Sequence, residues 1–198
     1  MPTASADDLA AIVYTSGSTG QPRGVCLSHG NFVFNTRAAI KHFQLKPEHH
    51  LLCMLPPFHV FGLMTGIFLP ALLGVTATYL PRFSPQVVYK LIAENDISVI
   101  LAIPSMYAAI ARLKNLDQNH FTKIALAISG GEPLSTRVFD ETYARTGLKL
   151  IEGYGMTETS PVIAANQPWA NKPGTVGRAL AGIEIDVRNT DEKSVAPG

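Results

Sequence analysis

The sequence is poor in cysteine and carries almost no net charge. Cys26 and Cys53 are its only cysteines, and they do not form a Cys-x-x-Cys pair. We expect both to be free, buried thiols in a reducing compartment. Sixteen Lys and Arg residues stand against fifteen Asp and Glu, a formal net charge of +1, and neither sign is concentrated in one segment. This balance argues against a nucleic-acid-binding protein with a basic face and against an acidic tail.

Long hydrophobic runs, leader peptides and repeats are also lacking. The longest apolar run, residues 60–75, is interrupted by Thr65 and Pro70 and falls short of the ~20 residues that a membrane span needs. The N-terminal residues 1–8 have neither the basic nor the apolar part of a signal peptide. We therefore expect a soluble, cytoplasmic protein with at most peripheral membrane contact and no nucleic-acid partner.

The composition and the order of segments predict an α/β fold. Hydrophobic residues make up 46% of the chain and charged residues 16%, which is typical of a protein with a buried sheet. Short apolar runs without polar alternation indicate parallel strands that are covered on both faces. They predict strands at 51–55, 76–80, 97–103, 124–128 and 148–151, and helical periodicity predicts helices at 60–73, 84–92, 106–113 and 134–145. This alternation predicts an open, doubly wound, mostly parallel sheet with flanking helices.

The C-terminal residues have a different character. Ile183–Val187 alternates strictly between apolar and polar residues, which predicts a half-exposed strand of an antiparallel β element. We expect an α/β core over residues 1–168 and the start of a β-rich subdomain over 169–198. Turn residues follow this strand with no further strand to pair with it, and native folds avoid unpaired edges. We therefore expect the chain to be a truncated piece of a longer one.

A loop rich in glycine and hydroxyl groups follows the apolar residues 10–13. It runs from Tyr14 to Gly24 and reads YTSGSTGQPRG. Its backbone N–H groups could wrap a polyphosphate, and Arg23 would add positive charge. The spacing fits neither a Walker A loop nor a GxGxxG motif. A plain surface linker is the alternative, but it would not explain the strand before the loop or the arginine within it.

Three further segments stand at the predicted ends of buried strands, where open α/β sheets place their ligand crevices. They read PPFHVFG (56–62), SGGEPL (129–134) and EGYGMTET (152–159). Paired glycines allow a flat ligand to approach the backbone, and a carboxylate near a phosphate loop is what Mg²⁺ needs. Each segment also has a plain alternative: His59 as a satisfied core histidine, the glycines as an ordinary turn, and Glu158 as a surface charge.

The order of these motifs resembles the adenylate-forming (acyl-CoA synthetase, AMP-binding) superfamily, most closely its long-chain fatty-acid–CoA ligases. YTSGSTGQPRG resembles the phosphate loop of that family, PPFHVFG its aromatic-histidine segment, GYGMTE its adenylate motif and KPGTVGR (172–178) the loop that follows. The resemblance extends from about residue 9 to 190. It implies that the chain is the central part of the large N-terminal domain of such an enzyme, with nucleotide- and acyl-binding functions in residues 1–168.

The resemblance implies an enzyme that joins a carboxylate, expected to be a fatty acid, to the AMP part of ATP as an acyl adenylate and then transfers the acyl group to coenzyme A. The catalytic residues would be His59, near the carboxylate or the thiol channel, Thr157 at the α-phosphate and Glu158. Thr15 and Glu158 would hold Mg²⁺. Arg23 stands where most members carry lysine, and its charge should preserve phosphate binding. The nucleotide-binding residues implied by the resemblance are Thr15, Ser16, Gly17, Ser18, Thr19, Gly20, Arg23, Gly131, Glu132, Pro133, Tyr154, Gly155 and Met156.

The resemblance also implies what this chain lacks. The ribose-binding aspartate motif, the interdomain hinge, the catalytic lysine and the C-terminal lid domain would all lie beyond it, and the N-terminal flank would precede it. We therefore expect the isolated chain to be inactive. The helix over 60–73 could form one wall of an acyl pocket or simply pack in the core. Two other functions stay open: a ligase that transfers the acyl group to a carrier-protein thiol or stops at the acyl adenylate, and a non-catalytic nucleotide- or lipid-binding remnant.

Overall fold

A computed structural model describes residues 3–16 and 21–195, and within these ranges the chain forms two sheets. A seven-stranded sheet has the strand order β4-β3-β5-β6-β7-β8-β9, and β1 and β2 form a separate antiparallel hairpin. The strands are β1 (Leu9–Thr15), β2 (Arg23–Ser28), β3 (His50–Cys53), β4 (Thr76–Tyr79), β5 (Val99–Ala102), β6 (Leu126–Ser129), β7 (Leu150–Gly155), β8 (Val162–Ala165) and β9 (Arg178–Ala179).

In the described part of the chain, six α-helical segments connect these strands. They are α1 (His29–Phe43), α2 (Val60–Leu63), α3 (Leu69–Leu73), α4 (Pro85–Glu94), α5 (Pro104–Ala111) and α6 (Thr136–Thr146). A π-helical turn, Met64–Phe68, joins α2 to α3, so that residues 60–73 form one continuous helix as predicted. Short 3₁₀ turns occupy Gln118–Lys123 and Thr157–Thr159. None of the helices in the described ranges has both the length and the apolar character that a bilayer span requires.

The predicted doubly wound sheet is confirmed. Strands β4, β3, β5, β6 and β7 are parallel to one another, and β8 and β9 extend the sheet beyond β7 in antiparallel pairs. The chain first runs from β3 to β4 and then crosses back over β3 to β5, after which it continues in the other direction. The reversal lies between β3 and β5, and ligand crevices of open α/β sheets form at such switch points.

Helices cover both faces of the parallel strands, which explains why these strands are apolar throughout. On one face Leu51, Val99 and Leu101 pack in a cluster with residues of α1, the π turn and α3. On the opposite face Leu52 and Ile100 pack in a second cluster with residues of α4 and α5. Because neighbouring residues in a strand point to opposite faces, both sets must be hydrophobic.

Two expectations are wrong in detail. Ile183–Val187 forms no strand, and only an isolated bridge between Arg188 and Ser194 follows it. Ile183 packs against the core, but Ile185 and Val187 are 56% and 61% exposed, so the apolar side of the segment is not held against a core along its length. Cys26 is exposed and not buried, because it lies on the uncovered face of the β1–β2 hairpin opposite Ile12, which is also exposed.

Candidate functional site

A cavity of about 500 Å³ lies at the carboxyl ends of the parallel strands. Its mouth is formed by the segments that follow β3, β6 and β7, and its interior reaches between α1, the helix over 60–73 and the sheet. The interior lining is apolar and includes Ala39, Phe43, Leu45, Met64, Leu69, Leu101, Ile128, Val162 and Ala165. Among the described lining residues, His59 is the only one with a basic nitrogen and Glu132 the only one with a carboxylic acid. The cavity therefore combines a polar mouth with a hydrophobic interior.

Most of the residues predicted at the strand ends meet at this cavity, although they come from three separate segments. The predicted site residues that line it are His59, Gly131, Glu132, Tyr154, Gly155, Met156 and Thr157. Pro133 and Glu158 belong to the same loops but do not line it. Convergence of three strand ends on one cavity follows from the parallel sheet, because the carboxyl ends of its strands share an edge.

His59 is exposed at the mouth, so the alternative interpretation of this residue as a buried core histidine is wrong. The residue immediately precedes α2 and has an extended backbone, with φ −92° and ψ 141°. Its ring lies beside that of Phe58, with 4.7 Å between the ring centroids. The next glycine in the segment, Gly62, is required by packing, since a Cβ there would overlap the carbonyl oxygen of Pro56. The segment is thus folded tightly enough to hold the imidazole at the cavity.

The glycines after β6 bring backbone close to the cavity walls. Gly131 has a φ of +80°, a conformation that L side chains rarely adopt. A Cβ on this residue would stand 3.3 Å from Cγ2 of Ile103. The loop is also tied to the neighbouring strand, because the N–H of Leu134 donates to Oε1 of Glu152 at 3.0 Å. Sequence reasoning did not assign this role to Glu152, whose position at the end of β7 was its only signal.

The described residues of the predicted phosphate loop lie at the end of strand β1 and the start of strand β2. Thr15 pairs with Arg23 in the β1–β2 hairpin, and Ser16 and Arg23 are exposed. Gly17, Ser18, Thr19 and Gly20 lie outside the described residues. Strand β2 packs against the 3₁₀ turn Thr157–Thr159, so the hairpin and the turn that carries Glu158 are neighbours. None of Thr15, Ser16 and Arg23 lines the cavity itself.

Asn35 is a residue that sequence reasoning missed. It lies on α1, only 1% of its surface is exposed, and its side chain bonds to the backbone on both sides of Ser160-Pro161. Helix α1 was not predicted. The signal for it was Ser28, which accepts a hydrogen bond from the Asn31 N–H while the Asn31 side chain accepts one from the Ser28 N–H.

Asn166 is a second missed residue, and it organises the loop KPGTVGR (172–178). The side chain is buried, its Oδ1 accepts from the N–H of Lys172 at 3.0 Å, and its Nδ2 donates to the carbonyl of Thr175. Gly177, with φ +72°, lies so close to Ala165 that a Cβ would overlap the Ala165 backbone. These contacts hold the loop against β8, beside the cavity.

The fold and the cavity together define a class: an open, doubly wound α/β protein with a cavity at the carboxyl ends of its parallel strands, where such folds place their ligand crevices. Comparison with known proteins then gives the family. The AMP-binding enzyme family matches this chain over residues 1–198, and the chain belongs to it. The resemblance to adenylate-forming enzymes drawn from the motifs is thereby confirmed.

Similar proteins are CoA ligases of several substrate classes. The chain is 35% identical over 173 residues to a long-chain-fatty-acid–CoA ligase of Bacillus subtilis (strain 168), covering 86% of this chain and 31% of the ligase. It is 31% identical over 195 residues to the mitochondrial malonate–CoA ligase ACSF3 of Bos taurus, covering 90% of this chain and 33% of that protein. The chain therefore spans about a third of the length of these relatives.

The fold also matches solved structures. ATP-bound MatB from Rhodopseudomonas palustris superposes with a TM-score of 0.91 at 33% identity, covering 98% of this chain and 38% of that chain. The similarity extends over nearly all of the chain, so it includes both the hairpin and the cavity.

Proposed function

We propose that this chain is the nucleotide- and acyl-binding part of an ATP-dependent fatty-acid–CoA ligase. The observation that carries the proposal is the cavity, whose apolar interior opens at a mouth formed by His59, Gly131 and residues 154–157. Strand β2 of the β1–β2 hairpin packs against the turn Thr157–Thr159 at this mouth. Membership of the AMP-binding enzyme family and similarity to a long-chain-fatty-acid–CoA ligase support it.

The proposed reaction has two steps. An oxygen of the substrate carboxylate attacks the α-phosphorus of ATP, the bond from that phosphorus to the bridging oxygen breaks, and pyrophosphate leaves. The thiol sulfur of coenzyme A then attacks the acyl carbon, loses its proton, and displaces AMP. In both steps the protein must hold the carboxylate and the α-phosphate together and stabilise the negative charge on the phosphates.

The mouth residues can perform these tasks. Tyr154, with 47% of its surface exposed, offers an aromatic face on which adenine can stack. The close-packed backbone at Gly131 would line the other side of the base, together with Glu132 and Pro133. The Thr157 hydroxyl would bond the α-phosphate, and Arg23 with the loop Thr15–Gly20 would bind the β- and γ-phosphates. His59 would orient the carboxylate or control entry of the thiol.

The donor set fits Mg²⁺ bound together with ATP. In residues 3–16 and 21–195 no three His, Cys, Asp or Glu side chains form a metal-binding group. Mg²⁺ does not need one, since it binds through one or two carboxylates plus substrate phosphates and water. Glu158 and the Thr15 hydroxyl are oxygen donors on the two neighbouring segments, the turn and the hairpin. Bound there, Mg²⁺ would neutralise charge on the phosphates.

The apolar interior is the reason to propose a fatty acid. Phe43, Met64 and Leu69 line it, and no Lys or Arg is among its described lining residues. A dicarboxylate such as malonate would place its second carboxylate among hydrocarbon groups without a counter-ion, which is costly. A hydrocarbon chain would instead gain free energy from burial, ~0.8 kcal/mol per CH₂.

The test is a substrate panel with the purified full-length protein. Saturated fatty acids of increasing length, cinnamate and malonate are each supplied with ATP, Mg²⁺ and coenzyme A, and acyl-adenylate, AMP and acyl-CoA are measured. We expect AMP and acyl-CoA in equal amounts, with kcat/KM for fatty acids at least about 100-fold above that for malonate. Preference for malonate would overturn the fatty-acid assignment, and the absence of AMP with every acid would overturn the ligase assignment. Accumulation of acyl-adenylate with coenzyme A present would favour a carrier-protein acceptor.

A further inference from the structure

Asn35 links two parts of the site that lie far apart in the chain. Its Nδ2 donates to the carbonyl oxygens of Thr159 at 3.2 Å and Val162 at 2.7 Å. The N–H of Val162 donates back to Asn35 Oδ1 at 3.1 Å. The partners are separated from Asn35 by 124 and 127 residues. One buried amide thus bonds the backbone on both sides of the Ser160-Pro161 pair.

The segment held in this way is the turn that carries Thr157 and Glu158. The turn also closes on itself, because the Met156 N–H donates both to Oγ1 of Thr159 at 3.0 Å and to the carbonyl of Pro161 at 3.1 Å. Thr157 lines the cavity, and Glu158 is exposed beside it. These internal bonds set the shape of the turn, and the three hydrogen bonds to Asn35 tie it to helix α1.

Helix α1 continues directly from the β1–β2 hairpin, which carries the predicted phosphate loop and is called the phosphate hairpin below. Strand β2 starts at Arg23 and ends at Ser28, and α1 starts at the next residue. Asn35 lies within the first two turns of α1. A displacement of the hairpin would therefore move α1 and, through Asn35, the turn.

We propose that Asn35 is a positioning residue that keeps Thr157 and Glu158 in register with the phosphate hairpin. This inference rests on the proposed function, in which the hairpin holds the β- and γ-phosphates and Glu158 holds Mg²⁺. Asn35 touches neither the nucleotide nor the metal in this scheme. It acts through the backbone of Thr159 and Val162, in the manner of residues that orient metal ligands from behind.

Two substitutions separate this role from simple stability. Asn35→Asp keeps the shape and an acceptor for the Val162 N–H, but a carboxyl group cannot replace the amide's two N–H donors, because it has one donor when protonated and none when ionised. Asn35→Ala removes all three bonds. The matched control is Tyr107→Phe: Tyr107 is 1% exposed, its hydroxyl bonds to the carbonyls of Ile100 and Ile128, and it does not line the cavity.

The first readout is kinetic and uses the full-length protein. We expect both Asn35 variants to raise the Mg²⁺ concentration for half-maximal rate by about tenfold or more. The KM for the fatty acid should change much less, since the interior of the cavity is not touched. Tyr107→Phe should lower the melting temperature without moving the Mg²⁺ dependence. A wild-type Mg²⁺ dependence in both Asn35 variants would overturn the proposal.

The second readout does not depend on catalysis. Hydrogen exchange of amides 156–162, measured without nucleotide, should become about tenfold faster in Asn35→Asp and stay unchanged in Tyr107→Phe. If Asn35→Ala does not fold, Asn35→Asp carries the test. Unchanged exchange in Asn35→Asp would overturn the positioning role of Asn35, even if the full-length protein is an active ligase. If exchange is faster but the full-length protein has no ligase activity, Asn35 still positions the turn and the proposed function is rejected. The failure of one proposal can therefore be told from the failure of the other.

Discussion

Glu158 is the only acidic side chain in the turn between β7 and β8, and it is exposed at the mouth of the cavity. In the proposed function Glu158 is a metal ligand, a role in which the negative charge of the side chain matters more than its shape. Glu158→Gln keeps the shape and removes the charge, so we expect the rate of adenylate formation to fall on the order of 100-fold, with a higher Mg²⁺ requirement. Pyrophosphate exchange over a Mg²⁺ titration measures both effects.

The control for this substitution is Glu94→Gln. Glu94 is an exposed carboxylate at the end of α4 that pairs with Lys90 at 3.9 Å, and exposed pairs of this kind contribute under ~1 kcal/mol. It should leave activity and stability unchanged. If Glu158→Gln behaves like Glu94→Gln, the carboxylate is a surface charge and the metal assignment is wrong.

The two cysteines should differ sharply in reactivity. Burial raises the pKa of the Cys53 thiol to about 11, so at pH 8 only about one part in a thousand is thiolate. The Sγ of Cys53 also lies 3.8 Å from the carbonyl of Thr65, to which it can donate only while protonated. Because the pH lies below the pKa, the thiolate fraction rises about tenfold for each pH unit between pH 8 and 10.

Timed alkylation with iodoacetamide, followed by peptide mass analysis, checks this prediction. We expect exposed Cys26 to react first and Cys53 to react slowly, with a rate that increases about tenfold per pH unit. Equal rates at the two cysteines at pH 8 would contradict the burial of Cys53.

At the scale of elements, the π-helical turn Met64–Phe68 gives the cavity its wall. The N–H of Leu69 donates to the carbonyl of Met64, five residues earlier, so that these two residues stack on the same side of the helix. In a regular α-helix five residues would rotate Leu69 by about 140° relative to Met64. Both side chains line the cavity because the π turn is present. Such turns occur frequently at functional sites.

Leu69→Ala tests this wall. Leu69 is 1% exposed, and we expect its truncation to lower the free energy of unfolding by about 2–5 kcal/mol and to enlarge the cavity. The substrate preference should then shift to longer fatty acids, measured as kcat/KM over a chain-length series.

Ile92→Ala is the matched control for this prediction, since Ile92 is 2% exposed and packs on the opposite face of the sheet, away from the cavity. It should cost comparable stability and leave the chain-length profile unchanged. The same shift of preference in both variants would mean that loosened packing, and not the cavity wall, sets the specificity.

The elements that sequence patterns predicted poorly share a physical cause. Ile183–Val187 has the alternation of a strand, but a strand also needs a hydrogen-bonding neighbour and a core to face, and neither is a property of the five residues themselves. Helix α1 was missed because buried Asn35 and Thr36 interrupt its apolar face. Burial of these polar residues is visible only once their partners on other elements are in place.

At the scale of the whole molecule, the chain corresponds to about a third of its CoA-ligase relatives. In the proposed reaction the chain contributes the mouth and interior of the cavity, while the ribose-binding aspartate and the catalytic lysine implied by the resemblance lie outside it. We therefore expect the isolated 198-residue chain to show no turnover with any carboxylate. The measurement is pyrophosphate exchange with the isolated chain beside the full-length protein as positive control. Steady exchange by the isolated chain would refute the prediction.

The sequence by itself determined the parallel core and most of the segments that form the mouth. Strand and helix periodicity is local, so the apolar runs at 97–103 and 124–128 predicted β5 and β6, and the parallel order then brought their carboxyl ends together. Motif order was enough to indicate the family. Only the tertiary structure revealed the apolar interior of the cavity, the π turn that shapes it and the hydrogen bonds from Asn35 to Thr159 and Val162. These depend on contacts between residues as many as 127 positions apart, and neither composition nor periodicity records which distant groups become neighbours.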